Sequence, residues 1–269
     1  MSRFAFGRNW QSYLRVLDET RIVEAEKSLQ AMIGAGRIAG ASFVDVGSGS
    51  GIFSLAAHRL CAARVLSFDY DPDSVACAVA LRDRFGRPDA EWTIQQGSAL
   101  DPAYLSDLGQ FDIVYSWGVL HHTGAMWLAL DHVTRLVKPG GLLFIAIYND
   151  QGLVSRGWTL VKRTFNAGLP GRLAVTTVFV PYFAGRGAIA DLLRLRNPIT
   201  RYREYRRSRG MSMRHDWIDW LGGYPFEVAT PDAIFNFYHA RGFSLEKLTT
   251  CGGRLGCNEF VFTNRETTA

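Results

Sequence analysis

The stretch Phe43-Val44-Asp45-Val46-Gly47-Ser48-Gly49-Ser50-Gly51 constrains this chain more than any other. Four residues reading as a buried strand run into a glycine turn, and the amphipathic stretch Ile52 to Ala63 reads as a helix. Strand, turn and helix make the first half of a nucleotide-binding βαβ unit. Glycine lets the backbone come close to a ligand and take φ values that a side chain forbids. The spacing excludes two phosphate loops. Ile52 stands where the third glycine of G-x-G-x-x-G belongs, and no Gly-Lys-Ser/Thr follows for a P-loop.

A second acidic position adds weight. Arg64 to Asp69 reads as the next strand, ending 22 residues beyond Gly47. That is close to the roughly 20-residue spacing at which a carboxylate receives ribose hydroxyls. The alternative is that Asp69 only caps the helix starting near Pro72. Strict alternation follows: helix Ser74 to Phe85, strand Glu91 to Gln96, strand Phe111 to Ser116, helix Gly124 to Val137, and strand Leu142 to Tyr148. Lys138-Pro139-Gly140-Gly141 reads as a sharp turn into that fifth strand. Such alternation predicts a doubly wound parallel sheet, whose ligands gather at the carboxyl ends of the strands.

The G-x-G-x-G turn, Asp69, the run Phe111 to Thr123 and Val137 to Leu143, taken in order, resemble class I S-adenosylmethionine (SAM)-dependent methyltransferases. They resemble in particular the methyltransferases typified by the ubiquinone-biosynthesis O- and C-methylating enzymes. The resemblance covers residues 43–148 well and the C-terminus more loosely. It implies a Rossmann-like α/β fold with a mostly parallel seven-stranded sheet. It implies SAM as cofactor, held by Asp45, Gly47, Ser48, Gly49, Gly51, Asp69, Tyr70, Ser98, Ala99, Ser116 and Trp117. Backbone at Gly47 and Ser116 would face the methionine part, Asp69 the ribose, and Tyr70, Ser98 and Ala99 the adenine. Ser98 departs from the family, which often carries Asp there.

His121 and His122 follow the fourth strand, and their ordinary pKa range suits a general base. Tyr148 and the pair His215 and Asp216 are further candidates, whereas one histidine could simply cap or pack on the next helix. No Asn-Pro-Pro-Tyr-type tetrad or Pro-Cys pair follows the fourth strand, so oxygen or activated-carbon acceptors are favoured. The four cysteines show no metal spacing, and no metal site is expected. No run of 18 apolar residues and no signal-peptide h-region is visible, which predicts a cytoplasmic protein with reduced thiols.

The chain divides into an N-terminal helical arm (1–40), a SAM-binding core (41–150), a helical insertion (151–225) and a closing helix with an antiparallel strand pair (226–269). Arg8 or Arg21 on the arm could meet the methionine carboxylate. Residues 151–215 hold 13 Arg and Lys against two acids, a charge of +11 in a chain of +5 overall. This insertion could form an acceptor site, with Trp217 to Pro225 as an aromatic wall. Its Arg201 to Arg209 run, arginines interleaved with tyrosines, could also bind RNA. Leu173 to Ala184 is too short to span a bilayer, and a buried lid helix is expected there over membrane contact. The leading function is methyl transfer to a small or medium, anionic metabolite: a sugar, quinone-like ring or polyketide-type hydroxyl. RNA methylation and a non-catalytic SAM-binding protein are the alternatives.

Overall fold

The computed structural model describes residues 17–34, 36–193, 197 and 213–265. Alternation of strand and helix produces α1 (Glu19–Ile33), β1 (Ser42–Val46), α2 (Ile52–Arg59), β2 (Arg64–Asp69), α3 (Pro72–Phe85) and β3 (Glu91–Gln96). Next come α4 (Pro102–Leu108), β4 (Phe111–Trp117), a 3-10 turn (Leu120–His122), α5 (Met126–Thr134) and β5 (Val137–Tyr148). Then follow α6 (Leu153–Phe165), α7 (Leu169–Leu193), α8 (Met213–Gly222), α9 (Pro231–His239), β6 (Phe243–Thr249) and β7 (Cys257–Asn264).

The strands form one seven-stranded sheet in the order β3-β2-β1-β4-β5-β7-β6. The first five are parallel, and β7 pairs antiparallel with both β5 and β6. Because side chains alternate across a strand, each central strand feeds two cores. Val44, Val46, Leu143 and Ile145 pack with α4, α5 and α9 on one face. Phe43, Val65, Tyr115 and Phe144 pack with α1 and α2 on the other. The strand order reverses between β1 and β4, both of which run to the same edge, and there an open α/β sheet leaves a crevice for ligands.

Local chemistry sets most boundaries. Asp71 caps α3 by accepting from the Asp73 N–H at 3.0 Å, and Pro72 fills the first turn, so that helix starts two residues before the expected Ser74. The helix α2 stops at Arg59 rather than Ala63, and Cys61 then takes a φ of 65°. The expected Lys138–Gly141 turn lies inside β5. Val137 pairs with Phe111 and Leu142 with Ile113, a register shift that leaves Lys138–Gly141 as the expected turn within the strand; Gly140 takes a φ of 75°, and Lys138 Nζ donates to Asp112 at 2.9 Å.

The insertion departs further from expectation. The helix α7 runs 25 residues, not the dozen read from Leu173 to Ala184, and continues through Pro181. It is no buried lid: among its described residues only Val175 and Asp191 are buried. By length and composition alone it could cross a bilayer. Lys162, counted with the solvated basic patch, is 1% exposed. The Arg201 to Arg209 run and Arg8 lie outside the described residues, as do the side chains of His215 and Asp216.

Candidate active site

The glycine turn, the end of β2 and the loop after β4 converge at the carboxyl edge. Gly47 and Ser48 donate their N–H groups to the Phe68 carbonyl at 2.8 and 3.1 Å. Gly49 donates to Asp69 Oδ2 at 2.9 Å, while Asp69 Oδ1 accepts from the Asp71 N–H at 2.8 Å. The carboxylate is thus oriented by two backbone donors and joins the turn into one rim. Gly47, Gly49 and Gly51 have φ of 75°, 54° and 80°, in the left-handed region. A Cβ on Gly47 would stand 2.2 Å from Val119 Cγ1, so the turn and the β4 loop touch only because that position is glycine.

Asp45 faces inward. It is 2% exposed and accepts from the Ser54 hydroxyl at 2.6 Å, clamping α2 to β1 beneath the turn. Burial raises its pKa from 3.8 to about 7 against the lowering effect of Ser54, and the Asp69 charge pushes in the same direction as burial. The folded protein therefore holds this proton more tightly than the unfolded chain. Its stabilising contribution is complete below about pH 3.8, declines as pH rises and is gone above about pH 7. Asp45→Asn is expected to flatten the fall in Tm between about pH 4 and about pH 7. An unchanged slope would assign the pH dependence to other groups.

The remaining expected cofactor residues distribute around the rim. Ser116 is fully buried, with its hydroxyl donating to the Val46 carbonyl at 2.9 Å across the β1–β4 pair. Trp117 ends β4 with its indole N–H on Glu259 at 2.8 Å, so β7 helps fix it. Tyr70 is largely exposed beyond β2. The Ser98 hydroxyl accepts from the Leu100 N–H at 3.1 Å, and Ala99 is buried behind it. The Ser48 hydroxyl is buried and has no hydrogen-bond partner among the described residues. An orphaned polar atom inside the glycine turn fits a polar ligand seated there. Arg21 pairs with Asp18 at 3.1 Å, beside its own helix cap.

The three residues expected to be catalytic are brought together. The rings of His121 and Tyr148 lie 4.0 Å apart, His121 and His122 4.5 Å, and His122 and Tyr148 5.5 Å. The two histidines differ in state. His121 is fully buried, its Nδ1 accepts from the Tyr148 N–H at 3.4 Å, and its Nε2 has no hydrogen-bond partner among the described residues by distance and angle. Burial, then His122 and Lys162, hold its pKa well below 6.5, so it stays neutral. His122 Nδ1 lies 2.6 Å from the Pro225 carbonyl, which can only accept. The proton is therefore on Nδ1, and Nε2 carries the basic lone pair.

Two neighbours escape sequence reasoning. Lys162 Nζ donates to the Trp220 carbonyl and sits 4.4 Å from the Trp220 ring and 4.9 Å from that of Phe226. Tyr148 packs on the same two rings at 5.7 and 5.1 Å, and Trp158 on Trp220 at 5.6 Å. Glu227 accepts the Met126 N–H at 3.0 Å, supplying the N-terminus of α5 with a carboxylate, and its pKa is raised by burial. The aromatic, turn-rich stretch Trp217 to Pro225 is the sequence signal for this wall.

Residues 44–145 match the family described as "Methyltransferase domain". Over 131 residues the chain is 35% identical to ribosomal protein L11 methyltransferase from Geobacter metallireducens, covering 45% of this chain and 39% of that protein. Over 112 residues it is 30% identical to a ubiquinone biosynthesis O-methyltransferase from Xanthomonas oryzae pv. oryzae, covering 42% and 45%. The chain thus spans less than half the length of these relatives. The fold is shared with magnesium protoporphyrin IX methyltransferase from Synechocystis PCC 6803, solved with SAH, at TM-score 0.55 and 12% identity, over 96% and 94% of the two chains. The glycine turn, the oriented Asp69 and the family match over residues 44–145 together identify this segment as a class I SAM-dependent methyltransferase domain.

Proposed function

We propose that this chain transfers a methyl group from SAM to an oxygen, or an activated carbon, of a small or medium acceptor bound against the α6–α8 insertion. The observation that carries the reading is the Gly49 to Asp69 hydrogen bond of 2.9 Å, which makes glycine turn and carboxylate one preformed rim. When bound, SAM supplies a methyl carbon already activated by its positive sulfur. Gly47, Ser48 and Ser116 would hold the methionine end, Asp69 the ribose, and Tyr70, Ser98 and Ala99 the adenine.

The remaining task of the protein is alignment and proton removal. His122 Nε2 is assigned the proton of the acceptor hydroxyl, with its tautomer fixed by Pro225. His121 and Tyr148 are positioning residues that pack the base against the end of β5. The rings of Tyr148, Trp158, Trp220 and Phe226 suit a flat acceptor, and the Lys162 charge behind them favours one that is anionic. A nucleic-acid acceptor is the second reading, favoured by the +11 charge of residues 151–215.

The test begins with the cofactor. Asp69→Ala is expected to weaken SAM binding at least about tenfold, since a charge-assisted hydrogen bond contributes about 1.5–3 kcal/mol. Unchanged affinity by calorimetry in a folded variant would sink the assignment. Methyl-labelled SAM incubated with fractionated cell extract then identifies the acceptor by where label appears. Label in RNA rather than in small molecules would establish the second reading.

A further inference from the structure

The insertion carries an apolar surface that the catalytic reading leaves unused. Ala174, Val178, Tyr182, Gly185, Ile189 and Leu192 of α7 follow the spacing i, i+4, i+8, i+11, i+15, i+18, which places them on one helical face. All six are exposed, Val178, Ile189 and Leu192 by 63%, 60% and 62%. At 1.5 Å per residue the stripe runs about 27 Å without a charge. The neighbouring face is already used, since Val175, Phe179 and Phe183 pack with Phe165 of α6 and with Ile218 and Leu221 of α8. On α6, Leu153, Val154 and Leu160 are exposed as well.

The charges around these positions have one sign. Between residues 151 and 193 the only acid is Asp191, which is buried, whereas Arg156, Arg163, Arg172 and Arg186 are all exposed. A helix pair solvated on its outer side ordinarily mixes both signs. Apolar side chains interleaved with arginines instead match the chemistry of an anionic lipid surface, where the acyl boundary takes the former and the headgroups the latter. Spanning is a poorer fit. Arg172 and Arg186 leave only residues 173–185 uncharged, 13 positions against the roughly 20 that a bilayer requires. RNA would account for the arginines and not for the stripe.

We propose that α6 and α7 form a membrane-surface anchor that lies in the headgroup region of a bilayer rich in anionic lipid. This does not depend on methyl transfer. The full chain is mixed with sedimentable vesicles of phosphatidylcholine alone or of phosphatidylcholine with phosphatidylglycerol. It is expected to sediment with the mixed vesicles and weakly with the neutral ones. The double variant V178D/I189D, in residues away from the SAM site, should lower the bound fraction at least about tenfold while circular dichroism and SAM affinity stay unchanged. Arg156→Gln with Arg163→Gln should remove most of the preference for phosphatidylglycerol. The proposal is overturned by no sedimentation with either vesicle, or by full binding of V178D/I189D. It is equally overturned if the wild-type chain is a dimer in light scattering that V178D/I189D renders monomeric, because a second copy then covers the stripe. Vesicle binding that bulk tRNA abolishes while V178D/I189D leaves it intact would assign the surface to nucleic acid.

Discussion

With the acceptor identified, His122→Ala is expected to lower kcat about 10²–10⁴-fold while SAM affinity stays within a factor of two or so, the ordinary range for losing a general base. The prediction singles out His122 because the two adjacent histidines are held in different states. The Pro225 carbonyl, 2.6 Å from Nδ1, fixes a proton on that nitrogen and leaves Nε2 as the base. His121 is already neutral through burial and spends its Nδ1 lone pair on the Tyr148 N–H. A kcat–pH profile provides the second readout. The acidic limb of the wild-type profile should disappear in His122→Ala and persist in His121→Asn, whose amide oxygen can still accept from Tyr148. Full turnover of His122→Ala would mean that the acceptor needs no base or that the base lies elsewhere.

Gly47→Val should reduce SAM affinity more than about 100-fold, near 2.7 kcal/mol. Two effects act together. The φ of 75° is strained for a β-branched residue, and a Cβ would lie 2.2 Å from Val119 Cγ1. The turn must move away from the β4 loop, taking the Gly49 N–H off Asp69. Tm should fall as well, so binding is compared with Val119→Ala, which trims the same contact but leaves the glycine in place. That variant should keep nearly all its SAM affinity. If Gly47→Val remains folded and binds SAM normally, the turn does not hold the cofactor.

These expectations rest unequally on sequence and on fold. The glycine turn, Asp69 and the strand–helix alternation were readable directly, because backbone conformation at glycine, helix capping and side-chain alternation are local properties. The errors are local too, and informative. The helix read from Ile52 to Ala63 stops at Arg59, and Cys61 then takes a φ of 65°. In α7 an apolar composition suggested burial, whereas the chain leaves that face outside, and composition cannot distinguish a core from an interface.

What the sequence determined by itself is therefore the strand–helix alternation that makes the parallel sheet, with the acidic and glycine residues at its carboxyl edge. Tertiary structure alone decided which histidine can act as a base, since the tautomer of His122 is set by a carbonyl 103 residues away. It also decided that Lys162 leaves the solvated charge of its segment for the Trp220 carbonyl, 58 residues on. Protonation and burial depend on which groups pack together in space, and neither a tautomer nor a cation over an aromatic ring has a periodicity that can be read along the chain.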